Sequence, residues 1–240
     1  MARNSFFKFK QFTIQQDRCA MKVCTDACVF GGWADVENDE HILDIGTGTG
    51  LLSLMTAQRN KNAKISTVEI EAEAFSQAKE NIENSPFADR IEIYHSAIQD
   101  FSSLEKFDCI ISNPPFFQSD LRSPDSKINQ AHHSDSLTFR VLLSAVNRLL
   151  TETGKFNILL PIDESIIFQE LAEKSGLVLI RKLTLFHQNG KKPFRSLMLF
   201  LRSETADNRL ISDDLFIYEE DGKTYHPKFA ELMKDFYLIF

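Results

Sequence analysis

The sequence has no long hydrophobic run and no recognisable sorting segment. No stretch approaches the roughly 18 uninterrupted apolar residues that a membrane-spanning helix needs. Residues 1–12 interleave Lys with Phe and lack the apolar centre of a secretory signal. We therefore expect a cytoplasmic protein without membrane attachment. Internal repeats and low-complexity tracts are also missing, and the 43% hydrophobic and 25% charged fractions are those of an ordinary globular protein.

Cysteine is scarce and is not arranged for metal binding. The four cysteines include no pair with the C-x-x-C spacing of common zinc sites, and the nearest histidine, His41, is too distant for a zinc finger. A histidine pair, His132-His133, lies in a polar loop, 118–135, that we interpret as a mobile cover over the substrate. We predict no metal site, and we expect reduced, buried or half-buried thiols at Cys19, Cys24, Cys28 and Cys109.

Positive charge is in deficit overall but is concentrated in two segments. The formal net charge of −7 argues, by itself, against a nucleic-acid partner. Residues 174–202, however, contain seven Lys or Arg and no Asp or Glu. Residues 1–24 contain five Lys or Arg and one acid. The sequence therefore predicts a local basic face on an acidic protein.

Short apolar runs alternate with amphipathic stretches, which is typical of a mainly parallel sheet flanked by helices. The runs of strand type are 41–45, 64–69, 91–95, 107–112, 156–160, 177–186 and 194–201. The runs of helix type are about 27–36, 51–58, 72–84, 136–150, ending near Gly154, and 164–174. Only seven residues, 187–193, separate the last two strands, which is too short for a crossover helix, so we predict that these strands are antiparallel.

A glycine-rich loop follows the first of these strands. Asp44-Ile45-Gly46-Thr47-Gly48-Thr49-Gly50 places three glycines at alternate positions between a strand and a helix. Glycine permits positive φ and lets the backbone approach a ligand closely, beside a helix N-terminus. Glu69 lies 19 residues after Gly50, at the end of the next strand. A carboxylate there can accept hydrogen bonds from both ribose hydroxyls of a nucleoside cofactor.

The strand, the loop and Glu69 together resemble the class I S-adenosylmethionine-dependent methyltransferases. The resemblance implies an α/β, Rossmann-like fold with helices on both faces of a seven-stranded mixed sheet, in the order 3-2-1-4-5-7-6. It also implies that Asp44 and the Gly46–Gly50 loop approach the methionine part of S-adenosylmethionine, and that Glu69 holds the ribose. By the same resemblance, Ser96 and Ala97 lie beside the adenine.

A second motif, Asn113-Pro114-Pro115-Phe116, follows the fourth strand and so lies at the same edge of the sheet. An amino group conjugated to an aromatic ring is a poor nucleophile. The side-chain oxygen of Asn113 and the carbonyl oxygen of Pro114 can accept its hydrogens and aim its lone pair at the methyl group. Prolines stiffen the turn, and Phe116 can stack on the target base. Positive charge develops on the nitrogen, and fixed acceptors stabilise it without a strong general base.

Within this class, Asn-Pro-Pro-aromatic resembles the motif of N-methyltransferases acting on adenine N6, cytosine N4 or a glutamine side chain. Segments 21–34, 113–117 and 236–238 are similar to the bacterial tRNA1(Val) adenine N6-methyltransferase family, and the resemblance runs over nearly the whole chain. It implies adenine 37 of tRNA1(Val) as the substrate. It also places three residues at the methionine end of the cofactor: Lys22, Thr25 and Asp26.

This N-terminal element departs from the family at one position, since Ala27 stands where Gly is usual. Asp26 is also expected as an N-cap or first-turn acid of the helix over about 27–36. We divide the chain, as a single methyltransferase domain, into an N-terminal arm and helix (1–40), a cofactor-binding core (41–203) and a peripheral C-terminal part (204–240). In the last part, Asp221-Gly222 predicts a tight hairpin and 227–236 a short helix.

The basic segments have a predicted use in binding tRNA. Lys191, Lys192 and Arg195 lie between the last two strands, which can flank the active-site edge, and we predict that they bind phosphates. Lys8 and Lys10 interleave with phenylalanines, a spacing that suits phosphates and unstacked bases. The alternative is that the arm packs its phenylalanines on the core. We infer no obligate protein partner.

Three other functions remain open. A protein glutamine methyltransferase often has a separate N-terminal substrate-binding domain, and only about 40 residues precede the first core strand here. A DNA adenine methyltransferase is disfavoured because no target-recognition domain is evident. A catalytically inactive RNA-binding module is disfavoured by the intact Asn113 and Glu69.

Overall fold

A mixed eight-stranded sheet organises the fold in the computed structural model, which describes residues 5–19, 21–115, 138–205 and 209–240. A separate antiparallel hairpin precedes it, formed by β1 (Phe6–Lys8) and β2 (Thr13–Gln15). The strands of the main sheet are β3 (His41–Ile45), β4 (Lys64–Glu69), β5 (Ile91–His95), β6 (Phe107–Ser112), β7 (Leu150–Pro161), β8 (Leu177–Phe186), β9 (Arg195–Arg202) and β10 (Ile211–Phe216).

Helices cover both faces of this sheet. They are α1 (Thr25–Trp33), α2 (Leu51–Arg59), α3 (Ala72–Glu83), α4 (Phe139–Leu149), α5 (Ile162–Lys174) and α6 (Pro227–Met233), with a 3-10 turn at Ala88–Arg90. Side chains fix several helix starts. Glu71 accepts hydrogen bonds from the backbone N–H groups of Glu73 and Ala74, and Thr138 accepts one from Val141. Such caps satisfy amides that have no partner within the helix.

The predicted fold class is confirmed, and the strand order extends it. The sheet runs β10-β8-β9-β7-β6-β3-β4-β5, which contains the expected order of seven strands with β3 as the first. Strand β9 is antiparallel to β8, as the short linker predicts, and it is also antiparallel to β7. The predicted count of seven strands is corrected to eight. Strand β10 pairs in parallel with β8, which would be the edge strand in the expected order. Strand β10 lacks the apolar pattern by which a strand is recognised from sequence, because only Leu215 is buried in it. Phe216 packs against Phe186 with ring centroids 5.0 Å apart.

Three predicted boundaries are also corrected. Helix α1 begins at Thr25 rather than near 27, because Cys24 is already extended and acts as the N-cap. Helix α4 begins at Phe139, and predicted residues 136 and 137 lie outside the described part. That helix ends at Leu149 and not near Gly154, which lies within β7.

The predicted C-terminal hairpin reduces to one bridge, Tyr218 to Tyr225, around the positive-φ Gly222.

The hydrophobic core has two layers, one on each face of the sheet. The first contains side chains of α1, α2, α6 and the N-terminal hairpin, and the second contains side chains of α4 and α5. Phe9 and Phe12 belong to the first layer, with 1% and 5% of their surface exposed, whereas Phe6 is 52% exposed. The alternative in which the arm packs its phenylalanines on the core therefore holds for Phe9 and Phe12, and these two rings cannot stack on RNA bases.

Within the described ranges, no helix is long and apolar enough to cross a membrane. The four cysteines are free thiols, and Cys24 is exposed rather than buried as predicted. Among the described residues, no group of three or more His, Cys, Asp or Glu side chains is arranged to hold a metal ion.

Candidate active site

The two sequence motifs meet at one edge of the sheet. Ile45, near the end of β3, pairs with Val68 of β4 on one side and with Ser112 of β6 on the other, and all three strands are parallel. The residues that follow therefore leave the sheet side by side at its carboxyl edge. Ligands of open α/β sheets bind at this edge.

The glycine loop forms an open cradle above β3. Gly46, Gly48 and Gly50 have φ angles of 73°, 57° and 82°, a left-handed region that other residues rarely adopt. The loop is fixed by hydrogen bonds from Gly46 N to Val68 O (2.9 Å) and from Gly50 N to Thr47 O (3.0 Å). A Cβ atom built on Gly46 or Gly48 would meet no atom within 4 Å. The space above the loop can therefore receive a ligand close to the backbone.

Asp44 lies beneath this loop and is fully buried. Its Oδ2 accepts hydrogen bonds from Thr47 Oγ1 (2.7 Å) and Ser53 Oγ (2.6 Å), so it ties β3 to the loop and to α2. Burial, with a smaller contribution from the nearby charge of Glu69, raises the pKa of Asp44 to about 6. Its Oδ1 is buried without a hydrogen-bond donor among the described residues.

Glu69 ends β4 and points at the loop. Its Oε2 accepts a hydrogen bond from Gly48 N (2.8 Å), and its Oε1 accepts two, from Ile70 N (2.9 Å) and Glu71 N (3.0 Å). A carboxylate offers about four acceptor positions, so one remains for a ligand hydroxyl. Two ribose hydroxyls can bind only if the Gly48 N–H is released. The side chain is 7% exposed and is oriented entirely by backbone groups.

Ser96, predicted with Ala97 to lie beside the adenine, is next to Glu69, because Ser96 N donates to Glu69 O at 3.0 Å. No sequence pattern above pointed to Ile70, an apolar residue that directly follows Glu69 and is 50% exposed. A large apolar side chain left open at this edge can cover one face of an aromatic ring. The available signal was an apolar residue placed immediately after the acid that ends a strand.

Asn113 follows β6, whose last residue, Ser112, donates its Oγ hydrogen to Ile45 O at 2.9 Å. The Oδ1 atom of Asn113 is buried and has no hydrogen-bond partner in the described part of the chain. Pro114 is buried and Pro115 is exposed. The predicted stacking residue, Phe116, and the 118–135 loop lie outside the described residues. An unpartnered buried oxygen is costly, and a bound donor removes that cost.

The segment before α1 also reaches this edge. The thiol of Cys19 is partly buried near Glu69 and Glu71, and its burial together with these two charges raises its pKa to about 11. Farther along, Lys22 and Thr25 are half-buried, and Asp26 is buried in the first turn of α1, as predicted. The segment therefore extends from the Glu69 side to α1.

Arg195, predicted to bind a phosphate, instead has its guanidinium hydrogen-bonded within the protein. Its Nε donates to Asp26 Oδ2 at 2.6 Å and its Nη1 to Phe194 O at 2.9 Å. Lys10 is also engaged, because its ammonium donates to Lys234 O. Lys8 and Lys10 line a cleft with Glu80 and Asn84, at the C-terminal end of α3.

Lys191 and Lys192, in contrast, are exposed on the loop between β8 and β9. Arg195, at the end of that loop, pairs with Pro161 at the end of β7. Because β7 is parallel to β6, the loop lies at the same edge as Asn113. Of the predicted RNA-binding residues, these two lysines are therefore the ones exposed beside the candidate site.

This chain is similar in sequence to known proteins. Residues 33–160 match the family described as methyltransferase small domain. A protein of Dyadobacter fermentans, named tRNA1(Val) (adenine(37)-N6)-methyltransferase, is 62% identical over 240 residues and covers all of both chains. A protein of Phocaeicola vulgatus with the same name is 43% identical over 235 residues, or 98% of each chain.

Solved structures show the same fold at low sequence identity. A predicted O-methyltransferase of Agrobacterium tumefaciens superposes with a TM-score of 0.69 at 16% identity, covering 88% of this chain and 96% of that one. A putative class I S-adenosylmethionine-dependent methyltransferase of Listeria monocytogenes has a TM-score of 0.56 at 13% identity, covering 83% and 67%. At these identities the likeness concerns the fold alone.

Proposed function

We propose that this chain, which belongs to the methyltransferase small domain family and to the family of tRNA1(Val) (adenine(37)-N6)-methyltransferases, transfers a methyl group from S-adenosylmethionine to the exocyclic N6 of adenine 37 in tRNA1(Val). The observation that carries the proposal is the buried, unpartnered Oδ1 of Asn113 at the same sheet edge as the glycine cradle. One element presents a cofactor, and the other offers a fixed acceptor to an amino group.

The residues present fit S-adenosylmethionine, which supplies an electrophilic methyl group on a sulfonium when bound. The open space over Gly46 and Gly48 admits the cofactor close to the backbone of the loop. Glu69 retains one acceptor position for a ribose hydroxyl.

The two ends of the cofactor have separate residues. Ile70 with Ser96 and Ala97 provides a surface for the adenine. The methionine end is closed by Lys22, Thr25 and Asp26.

In the proposed mechanism, Asn113 Oδ1 and the carbonyl oxygen of Pro114 accept the two hydrogens of the target amine. Accepting these hydrogens reduces the delocalisation of the nitrogen lone pair into the ring and directs it toward the methyl group. As the bond from nitrogen to the methyl carbon forms, the carbon–sulfur bond would break with its electron pair left on the sulfur, which becomes a neutral thioether. The nitrogen becomes positively charged, and the two oxygen dipoles stabilise that charge. One preorganised hydrogen bond of this kind lowers the barrier by roughly 2.7–4 kcal/mol. The extra proton then leaves to solvent.

Labelled S-adenosylmethionine offered with total tRNA, DNA or protein tests the substrate class. We expect label only in tRNA, at N6 of adenine 37, as mapped by mass spectrometry of the nucleosides. Asn113→Ala should keep cofactor affinity within about twofold and lose roughly 10²–10³ in kcat. Label in a glutamine side chain or in DNA would support one of the alternative functions instead, and near-normal turnover of Asn113→Ala would remove this residue from the mechanism.

The proposal extends to the rest of the chain. We propose a single methyltransferase domain in which residues 41–203 hold the cofactor, with 1–40 and 204–240 as flanking parts, and a cytoplasmic location, where tRNA is found. Lys191 and Lys192 are the proposed phosphate contacts because they are exposed at the carboxyl edge. Lys8 and Lys10 line a separate cleft with Glu80, and Arg195 is bound to Asp26.

A further inference from the structure

Two rings at the β8–β9 loop are stacked with their planes parallel. The imidazole of His187 and the ring of Phe194 have centroids 4.0 Å apart and planes inclined by 2°. Phe194 is half-buried, with the guanidinium carbon of Arg195 5.6 Å from its ring centre, whereas His187 is exposed. One face of the imidazole therefore covers Phe194. Among the described residues, no other ring packs on the second face.

The backbone holds this stack in place. Phe194 N donates to Leu185 O at 3.0 Å, which closes the base of the loop. On the other side, Tyr218 N donates to His187 O at 2.9 Å. Both ring-bearing residues are thus fixed by hydrogen bonds to neighbouring chain segments. A flat surface fixed before binding loses little conformational entropy when a ligand stacks on it.

The position of the stack relates it to the methyl-transfer site. The loop lies at the carboxyl edge, because Arg195 pairs with Pro161 at the end of β7, two strands from β3. An adenine that reaches Asn113 must leave the stack of its own RNA loop, which leaves its neighbours without a stacking partner on that side. An exposed aromatic face near the site offers such a neighbour a replacement.

Charge at the loop favours a base over a phosphate as the occupant of this face. Lys191 and Lys192 are exposed nearby and can neutralise a backbone phosphate. The turn containing Glu219 and Glu220 lies against the same loop, since Gly222 is next to the Gln188 side chain. These acids reduce the local positive potential, so phosphate attraction beyond that of the two lysines is weak here. Stacking of an uncharged base does not depend on that potential.

We propose that His187, supported by Phe194, is a stacking platform for an unpaired nucleobase adjacent to the methylated adenine. This inference rests on the proposed tRNA substrate. Stacking on an aromatic side chain tolerates any base, so the platform positions the RNA rather than reading its sequence. Its loss should therefore weaken RNA binding and leave cofactor binding unchanged.

The experiment uses the full chain and an anticodon stem-loop RNA with 2-aminopurine next to the target adenine. Binding to the unaltered protein should change the fluorescence of the probe, and His187→Phe should retain the change because it keeps a flat ring. His187→Ala should lose it and raise the KM for RNA about 5- to 150-fold, the range for one stacked base. Tyr94→Ala, on the edge strand β5, serves as a control that removes an exposed ring elsewhere.

The outcomes separate this inference from the proposed function. If the unaltered protein methylates adenine in tRNA and His187→Ala binds RNA with the same affinity and the same probe signal, the platform is wrong and the function stands. If the unaltered protein does not methylate tRNA, the proposed function itself fails. Equal cofactor affinity and unfolding temperature in His187→Ala and the unaltered protein exclude a general loss of structure as the cause of weaker RNA binding.

Discussion

Arg195 at the start of β9 and Asp26 in the first turn of α1 form an ion pair, with Arg195 Nε 2.6 Å from Asp26 Oδ2. Both side chains are shielded, with 21% and 9% of their surface exposed. A second donor of the same guanidinium is bound to Phe194 O. The pair therefore connects the basic loop to the segment proposed to close the methionine end of the cofactor. In this structure the guanidinium of Arg195 binds Asp26 and holds it in place.

Arg195→Gln should weaken the binding of S-adenosylmethionine about tenfold, because Asp26 is left buried without its counter-charge. Arg195→Lys should recover only part of the affinity, since an ammonium lacks the planar donor arrangement of a guanidinium. Calorimetric titration with the cofactor measures both. Lys192→Gln is the matched control: it should leave cofactor binding intact and reduce the salt dependence of tRNA binding. The reverse pattern, with Arg195→Gln changing only the salt dependence, would return Arg195 to RNA binding.

The glycine cradle can be tested with two substitutions that share the same backbone strain. Gly48 and Gly176 both have positive φ, 57° and 84°, and a Cβ at either meets no atom within 4 Å. Each change to Ala should lower the free energy of unfolding by about 1–2 kcal/mol. Only Gly48→Ala places a methyl group in the space above the loop, so it alone should lower cofactor affinity, by at least about tenfold. Equal losses of affinity in both variants would mean that strain, and not occlusion, is responsible.

Local patterns predicted most of this architecture. Strands β4, β5, β6 and β8 begin and end at the predicted residues, because alternating or continuous apolar runs bounded by polar segments specify a strand without tertiary information. The two motifs were likewise placed at one edge by the parallel order alone. What was missed depends on contacts between distant segments. Strand β10 is polar and exists by pairing with β8, and the Arg195–Asp26 pair joins residues 169 positions apart.

The buried carboxyl of Asp44 predicts a pH dependence of stability. Its pKa in the folded protein, about 6, lies above the ordinary value of 3.8, so the native state binds the proton more tightly than the unfolded chain. The contribution of Asp44 to stability therefore increases as the pH falls from above 6 toward 4, by up to about 3 kcal/mol.

Asp44→Asn removes this titration. Denaturant unfolding between pH 4 and 8 should show a smaller loss of stability with rising pH in the variant than in the unaltered protein. The difference between the two curves should be concentrated between pH 4 and 6. Parallel curves across this range would show that Asp44 titrates alike in the folded and unfolded chains, against the burial argument.

At the opposite end of the sheet, Lys155 of β7 lies between two carboxylates. Its Nζ is 2.8 Å from Asp35 Oδ1 and 3.0 Å from Asp39 Oδ2, and these acids belong to the connection between α1 and β3. Asp39 is only 8% exposed, and its burial raises its pKa despite the adjacent ammonium. The ion pairs thus fasten this connection to the sheet far from the carboxyl edge.

Lys155→Met should lower the free energy of unfolding by about 2–3 kcal/mol, less than for a fully buried pair because Asp35 remains partly in water. Adding Asp39→Asn should recover part of the loss, since the second change removes the uncompensated charge. Cofactor affinity at a temperature where all variants are folded should stay unchanged, because Asp35 and Asp39 precede β3 and Lys155 lies level with the amino end of that strand. A loss of affinity in the folded Lys155→Met variant would show that this connection also shapes the cofactor site through α1, and stability alone would no longer describe the role of Lys155.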